Sequence, residues 1–281
     1  MRLLPQVKKM KHVFNKKKLL KIYSKLGIDV KNNKILFDLL NKLDSSCEKF
    51  NQQIELFHMD FLLGLSEIQD FDEKSFNKYI DKINATKGKL NFWGEKFEVF
   101  IYSRLIKGNP EIITNLKRGT DGIEPDLIFN FNNSPLGLEL TTLKFLNLPK
   151  SKKNILSKIT NKILEKNNKP YSNEKTALLI DITNIVAYEK ILNLDLNKIF
   201  KEYFNGFGYL DKEVNFGIII LCNSVFKYKQ DGTLKHRLEP RIGFISETKS
   251  IDNNLKKFIN ILFDNFKPND DFDLKFHHLN I

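Results

Sequence analysis

The chain is poor in the residues that several common chemistries need. Its 281 residues include two cysteines, Cys47 and Cys222, and a single tryptophan, Trp93. Two thiols are too few for a disulfide framework or a cysteine-built zinc site, and they point to a reducing, cytoplasmic setting. The five histidines (12, 58, 236, 277, 278) are scattered apart from the last pair, and none has metalloprotease spacing. A glycine-rich P-loop ending in Gly-Lys-Ser or Gly-Lys-Thr is missing. The longest apolar runs, such as Phe216 to Cys222, fall far short of the ~20 residues that span a bilayer. Residues 1–20 hold no apolar stretch of signal-peptide length, so the expectation is a soluble protein that is neither exported nor inserted.

What is present is aromatic and basic. Hydrophobic residues make up 41% and aromatics 12%, with 24 phenylalanines, enough for a substantial core. The net charge of +12 is clustered. Residues 1–28 carry nine Lys or Arg and no acid, and residues 144–169 carry eight Lys against Glu165. Such clusters fit a polyanion-binding protein, although a lysine-rich composition also produces them as solvated surface.

The sharpest signal is a pair of acids in strand-like segments. In Pro125 to Phe131, Asp126, Ile128 and Asn130 alternate with Leu127, Phe129 and Phe131. In Leu136 to Leu143, Glu139 shares a face with Gly137, Thr141 and Leu143. A carboxylate in the middle of an apolar run is costly unless its charge is compensated, which a hard divalent cation does well.

Pro125-Asp126, twelve residues, then Glu139-Leu140-Thr141 resembles the PD-(D/E)XK nuclease superfamily, which includes most type II restriction endonucleases. The resemblance implies an α/β (α+β) core: a helix, a three-stranded antiparallel meander, a second helix and further strands. It implies Mg²⁺-dependent hydrolysis of DNA phosphodiesters, with Asp126, Glu139 and the Leu140 carbonyl as metal ligands. Many members add an acid from the first core helix, and Glu98, or Glu95, fits that place in the helix expected over Phe92 to Lys107. Thr141 stands where the family has lysine. Lys144 is the nearest substitute, but its parity puts it on the face opposite Glu139; Lys158 and Lys117 are the alternatives.

The flanking elements follow the implied order. Glu111 to Lys117 reads as a strand, and Arg118 to Gly122 as a turn-rich loop before Pro125; Asp121 and Glu124, near the motif, serve as turn-makers or solvent contacts. Ser151 is an N-cap for a helix with Ile155, Ile159 and Ile163 on one stripe and Lys158, Lys162 and Lys166 beside it. Thr176 to Ile182 is a strand, in which Asp181 is either a second buried site carboxylate or a strand-end acid making hydrogen bonds. Leu194 to Phe204 is a helix and Phe216 to Cys222 a buried strand. Phe226 to Leu238 predicts a hairpin turning at Asp231-Gly232, pairing Tyr228 with Lys235 and Phe226 with Arg237. A short strand over Arg241 to Ser246 and a helix over Ile251 to Phe266 close the chain.

Residues 1–88 read as a helical lobe, with helices over Lys17–Lys25, Lys34–Leu43 and Ser46–Leu65. Ile68 to Phe71 is expected to interrupt them. Residues 89–281 read as the nuclease-like domain. The basic helix residues Lys158, Lys162 and Lys166 are candidate DNA contacts. The hairpin residues Lys227, Lys229, Lys235 and Arg237 read either as a ribbon entering a groove or as a solvated edge. These features predict a double-stranded-DNA endonuclease using Mg²⁺, a homodimeric type II restriction enzyme in the first instance. Another defence or mobile-element nuclease of the same core, or a DNA-binding protein that has lost catalysis, are the alternatives.

Overall fold

The computed structural model describes residues 16–43, 48–85, 91–108, 112–143, 151–189, 193–200, 214–228, 234–244 and 251–263. It is mixed α/β, as predicted, and the chain divides into two compact units between Gly108 and Asn109.

The first unit is helical: α1 (Lys16–Lys25), α2 (Lys34–Lys42), α3 (Glu48–Phe71), α4 (Glu73–Ala85) and α5 (Asn91–Lys107). After α1 the chain turns at Gly27, whose φ of 78° suits a residue without Cβ. Asn33 caps α2 by accepting a hydrogen bond from the Leu36 N–H. Helix α3 continues through 68–71, where an interruption was expected, because Ile68 extends its buried stripe. It stops at Asp72, whose carboxylate accepts from the Ser75 N–H at 3.0 Å and so caps α4.

Helix α5 belongs to this unit rather than to the one that follows, so the division falls at 108 and not near 88. Its packing explains why. A Cβ on Gly64 of α3 would lie 2.9 Å from Val99 Cγ1, so the two helices close on a missing side chain. Phe57 and Phe61 of α3 also meet Phe92 of α5, with ring centroids 6.3 and 5.4 Å away.

The second unit is built on a six-stranded sheet in chain order: β1 (Ile113–Arg118), β2 (Leu127–Phe131), β3 (Ser134–Thr142), β4 (Thr176–Asp181), β5 (Ile218–Tyr228) and β6 (Leu234–Phe244). β1 to β3 form an antiparallel meander, β3 to β5 are parallel, and β6 returns antiparallel. Asn132 and Asn133, with φ of 49° and 62°, form the two-residue link between β2 and β3. Two successive left-handed residues match the right-handed twist of a tight hairpin, and asparagine tolerates them.

Helices cover both faces. α6 (Lys152–Asn167) crosses from β3 to β4, and its N-cap is Ser151, which accepts from the Asn154 N–H. Ile155, Ile159 and Ile163 pack in one apolar cluster with Leu178, Ile180, Ile219 and Leu221. α8 (Asn253–Phe263) lies on the other face, where the Phe258 ring centroid is 4.6 Å from that of Phe129. A short α7 (Thr183–Glu189), which the sequence reading omits, follows β4. The helix expected over 194–204 is described only at 196–200.

The terminal hairpin departs from its predicted register. Val225 pairs with Arg237, Phe226 with His236, Lys227 with Lys235 and Tyr228 with Leu234. The described pairing ends at Tyr228 and Leu234, and Lys229, Asp231 and Gly232 lie outside the described residues. Leu221 pairs with Ile242; beyond it Cys222 pairs with Pro240, leaving Arg241 as an extra residue. Proline has no N–H for the ladder, so a bulge is where a strand tolerates it. That bulge slips the register by one and fuses two expected strands into β6.

The α6 packing sets a stability test. Ile159→Ala removes a fully buried side chain and should cost ~2–5 kcal/mol, whereas Ser157→Ala on the exposed side should stay within ~0.5 kcal/mol. Equal urea midpoints for the two variants would contradict the helix orientation.

Candidate active site

The β2–β3 register places the two acids of the motif face to face. Leu127 pairs with Leu138 and Ile128 with Gly137, so continuing the ladder one step sets Asp126 opposite Glu139 on the α6-covered face. β2 ends before this step, and the Asp126 side chain takes over the vacated edge of β3. Its Oδ2 accepts from the Leu140 N–H at 2.7 Å. An extended residue points its N–H and C=O to the same edge, so the Leu140 carbonyl faces this edge as well.

Two glycines fix the residue before Asp126. A Cβ on Gly119 would fall 2.0 Å from the Pro125 carbonyl oxygen, and one on Gly137 would fall 2.7 Å from Pro125 Cγ. The Gly119 N–H also donates to the Asp126 carbonyl at 3.0 Å. Pro125 is thus clamped between β1 and β3, and Asp126 is carried into position. Pro125 and Gly137 also line a cleft of ≈ 410 Å³ with Tyr171 and Thr176.

Glu139 is 1% exposed. Its Oε1 is paired with the ammonium of Lys166, from the last turn of α6, and its Oε2 has no hydrogen bond among the described residues. Burial and then the negative charge of Glu139 push the Asp126 carboxyl up to about 7, against the pull of the Leu140 N–H, Lys166 and Arg118. Burial opposes the charge on Lys166, but Glu139, then Asp126 and Glu165, hold its pKa above the ordinary lysine range. Burial, then the charge of Glu139, raises the Tyr171 phenol. Arg118, buried at the end of β1, is tied to the exposed Asp121 at 2.8 Å.

The other predicted residues fall in several places. Thr141 is half-buried two residues past Glu139 on the same face, paired in register with Ile180. Lys117 is exposed on β1 as the partner of Ile128. Lys158 is half-buried on α6, where burial and then Lys162 lower its pKa, and Lys162 pairs with Glu165 at 2.5 Å. Lys144 lies outside the described residues. Glu98 and Glu95 belong to the first unit; Glu98 is buried on α5, and Glu95 pairs with Lys82 at 3.7 Å. Asp181 accepts from the Thr183 N–H at 2.9 Å, the strand-end role. Lys166, expected to face DNA, instead joins the carboxylates. Its spacing carries no separate signal, since Lys158, Lys162 and Lys166 each follow a buried isoleucine by three.

Among the described residues no three or more His, Cys, Asp or Glu side chains are grouped so as to hold a metal. The donors present are two carboxylates and a backbone carbonyl, all hard oxygens of the kind Mg²⁺ takes. The repulsion between Asp126 and Glu139 and the unsatisfied Glu139 Oε2 are both relieved by a divalent cation, so the residues fit one. Comparison of the chain with protein-family models, curated proteins and solved structures gave no match.

The raised Asp126 pKa has a definite consequence for stability. A carboxyl that holds its proton more tightly when folded favours the native state at low pH. That advantage is lost as pH rises from about 4 to about 7. Asp126→Asn keeps an acceptor for the Leu140 N–H and removes the charge. Its Tm should therefore gain on that of the parent between pH 5 and pH 8. A Tm difference that is the same at both pH values would contradict the assignment.

Proposed function

We propose that the second unit is a Mg²⁺-dependent endonuclease for double-stranded DNA. The observation that carries this reading is the juxtaposition of Asp126 and Glu139 across neighbouring strands, with the Lys166 ammonium on Glu139. Asp126, Glu139 and the Leu140 carbonyl would hold the ion. When bound, it supplies a water of lowered pKa and neutralises charge building on the scissile phosphate. Lys166 provides in space the cation that Thr141 does not provide in sequence. An ammonium there can orient the attacking water and stabilise the phosphate, which a threonine hydroxyl does only by hydrogen bonding.

Lys162 and Lys158 continue from Lys166 at four-residue steps along α6, a row suited to backbone phosphates. Lys227, Lys235 and Arg237 of the hairpin are proposed as a second contact region. Cleavage of both strands of a duplex favours two copies of the chain, so the finer reading is a homodimeric restriction-type enzyme.

Purified protein should cut plasmid only with Mg²⁺, and Asp126→Ala or Glu139→Ala should lower the rate at least ~100-fold while leaving circular dichroism unchanged. Lys166→Met should be similarly damaging, and adding Thr141→Lys to it should restore part of the rate. Full activity in folded Asp126→Ala would sink the reading. Tight duplex binding with no cutting by the parent would leave a DNA-binding protein in its place.

Binding is separable from cutting. In Ca²⁺, replacing Lys158 or Lys162 should flatten the dependence of duplex affinity on log salt by about one unit each, equally for all sequences. Unchanged slopes would remove α6 from the DNA interface.

A further inference from the structure

The two oxygens of Glu139 are used unequally. Oε1 holds the Lys166 ammonium, whereas Oε2, though buried, has no hydrogen bond of its own among the described residues; the Tyr171 phenol lies close to the same carboxylate. The lysine side chain is 18% exposed, so the pair is not sealed within the core. Its flexible four-carbon stem lets the ammonium move while α6 stays in place. A compact monovalent cation therefore occupies the carboxylate on which the proposed ion depends. Two cations sharing one carboxylate repel, and the divalent one gains more from the pair of acids.

We propose that Lys166 is an exchangeable counter-ion of the site. It neutralises Glu139 while the site is empty, gives up Oε1 when a divalent cation binds both carboxylates, and then has a substrate phosphate as its next partner. This rests on the metal-site reading above. With Lys166 on Oε1 the buried acid is neutralised in the empty site, and the ammonium is released only in a site already loaded for reaction.

The test reads the lysine directly, on the full chain, with Ca²⁺ as the probe. Limited amine acylation followed by peptide mass spectrometry compares Lys166 with Lys158 and Lys162, and calorimetry on the same samples measures Ca²⁺ uptake. In EDTA, Lys166 should be protected relative to both neighbours. In saturating Ca²⁺ its labelling should rise to their level while theirs stays constant. In Glu139→Gln, Lys166 should be labelled equally with and without Ca²⁺; if that variant does not fold, the parent comparison decides alone. Ca²⁺ uptake with Lys166 still protected overturns the exchange and makes the lysine a fixed partner, with the metal site intact. No Ca²⁺ uptake by the parent overturns the metal site itself, and the exchange with it.

Discussion

Strand β3 is hydrogen-bonded along both edges, antiparallel to β2 and parallel to β4, and the rest of the second unit depends on that double pairing. The antiparallel edge fixes which residue of β2 comes opposite Glu139. The parallel edge requires a crossover, and the crossover is α6, which brings Lys166 back over the same face. One strand thus determines both the partner acid and the source of the cation. A slip of one residue on its β2 edge would turn Asp126 to the α8 face and separate the acids.

The site is balanced electrostatically at some cost. Two acids close together in a largely buried setting oppose each other, which is why Asp126 keeps its proton to about 7. Lys166 answers Glu139, and Arg118, itself held by Asp121, lends a weaker positive field to Asp126. Such an arrangement is poor at stabilising a fold, since a well-packed apolar group in place of the buried pair is often at least as stable. Repulsion of this kind, concentrated where glycine and proline already fix the backbone, is what the proposed metal site would put to use.

Much of this was legible in the sequence, and the legible part was local. Strict alternation separated Asp126 from Phe129 and Glu139 from Leu138 and Leu140, and Ser151 announced the start of α6. What escaped depended on contacts between distant segments. Lys166 looked like one of three equivalent lysines, because only the end of the helix over the sheet distinguishes it from Lys158. The allegiance of α5 is decided by Gly64 and the Phe57–Phe92 packing, contacts with a helix far earlier in the chain. The hairpin register turned on Pro240: alternation before the bulge and after it are each regular, and nothing local shows that one residue is skipped.

Supplying the cation from a helix instead of from β3 changes how the site can be lost. A strand lysine two residues past Glu139 would share its face by pleat alone. Lys166 shares it only through the angular phase of α6, in which each residue advances by about 100°. A single-residue insertion or deletion between Ile159 and Lys166 would swing the ammonium around the helix and leave both carboxylates in place. A chain altered that way would keep every residue of the motif and lose the cation, so helix length would be the feature that separates a complete site from an incomplete one.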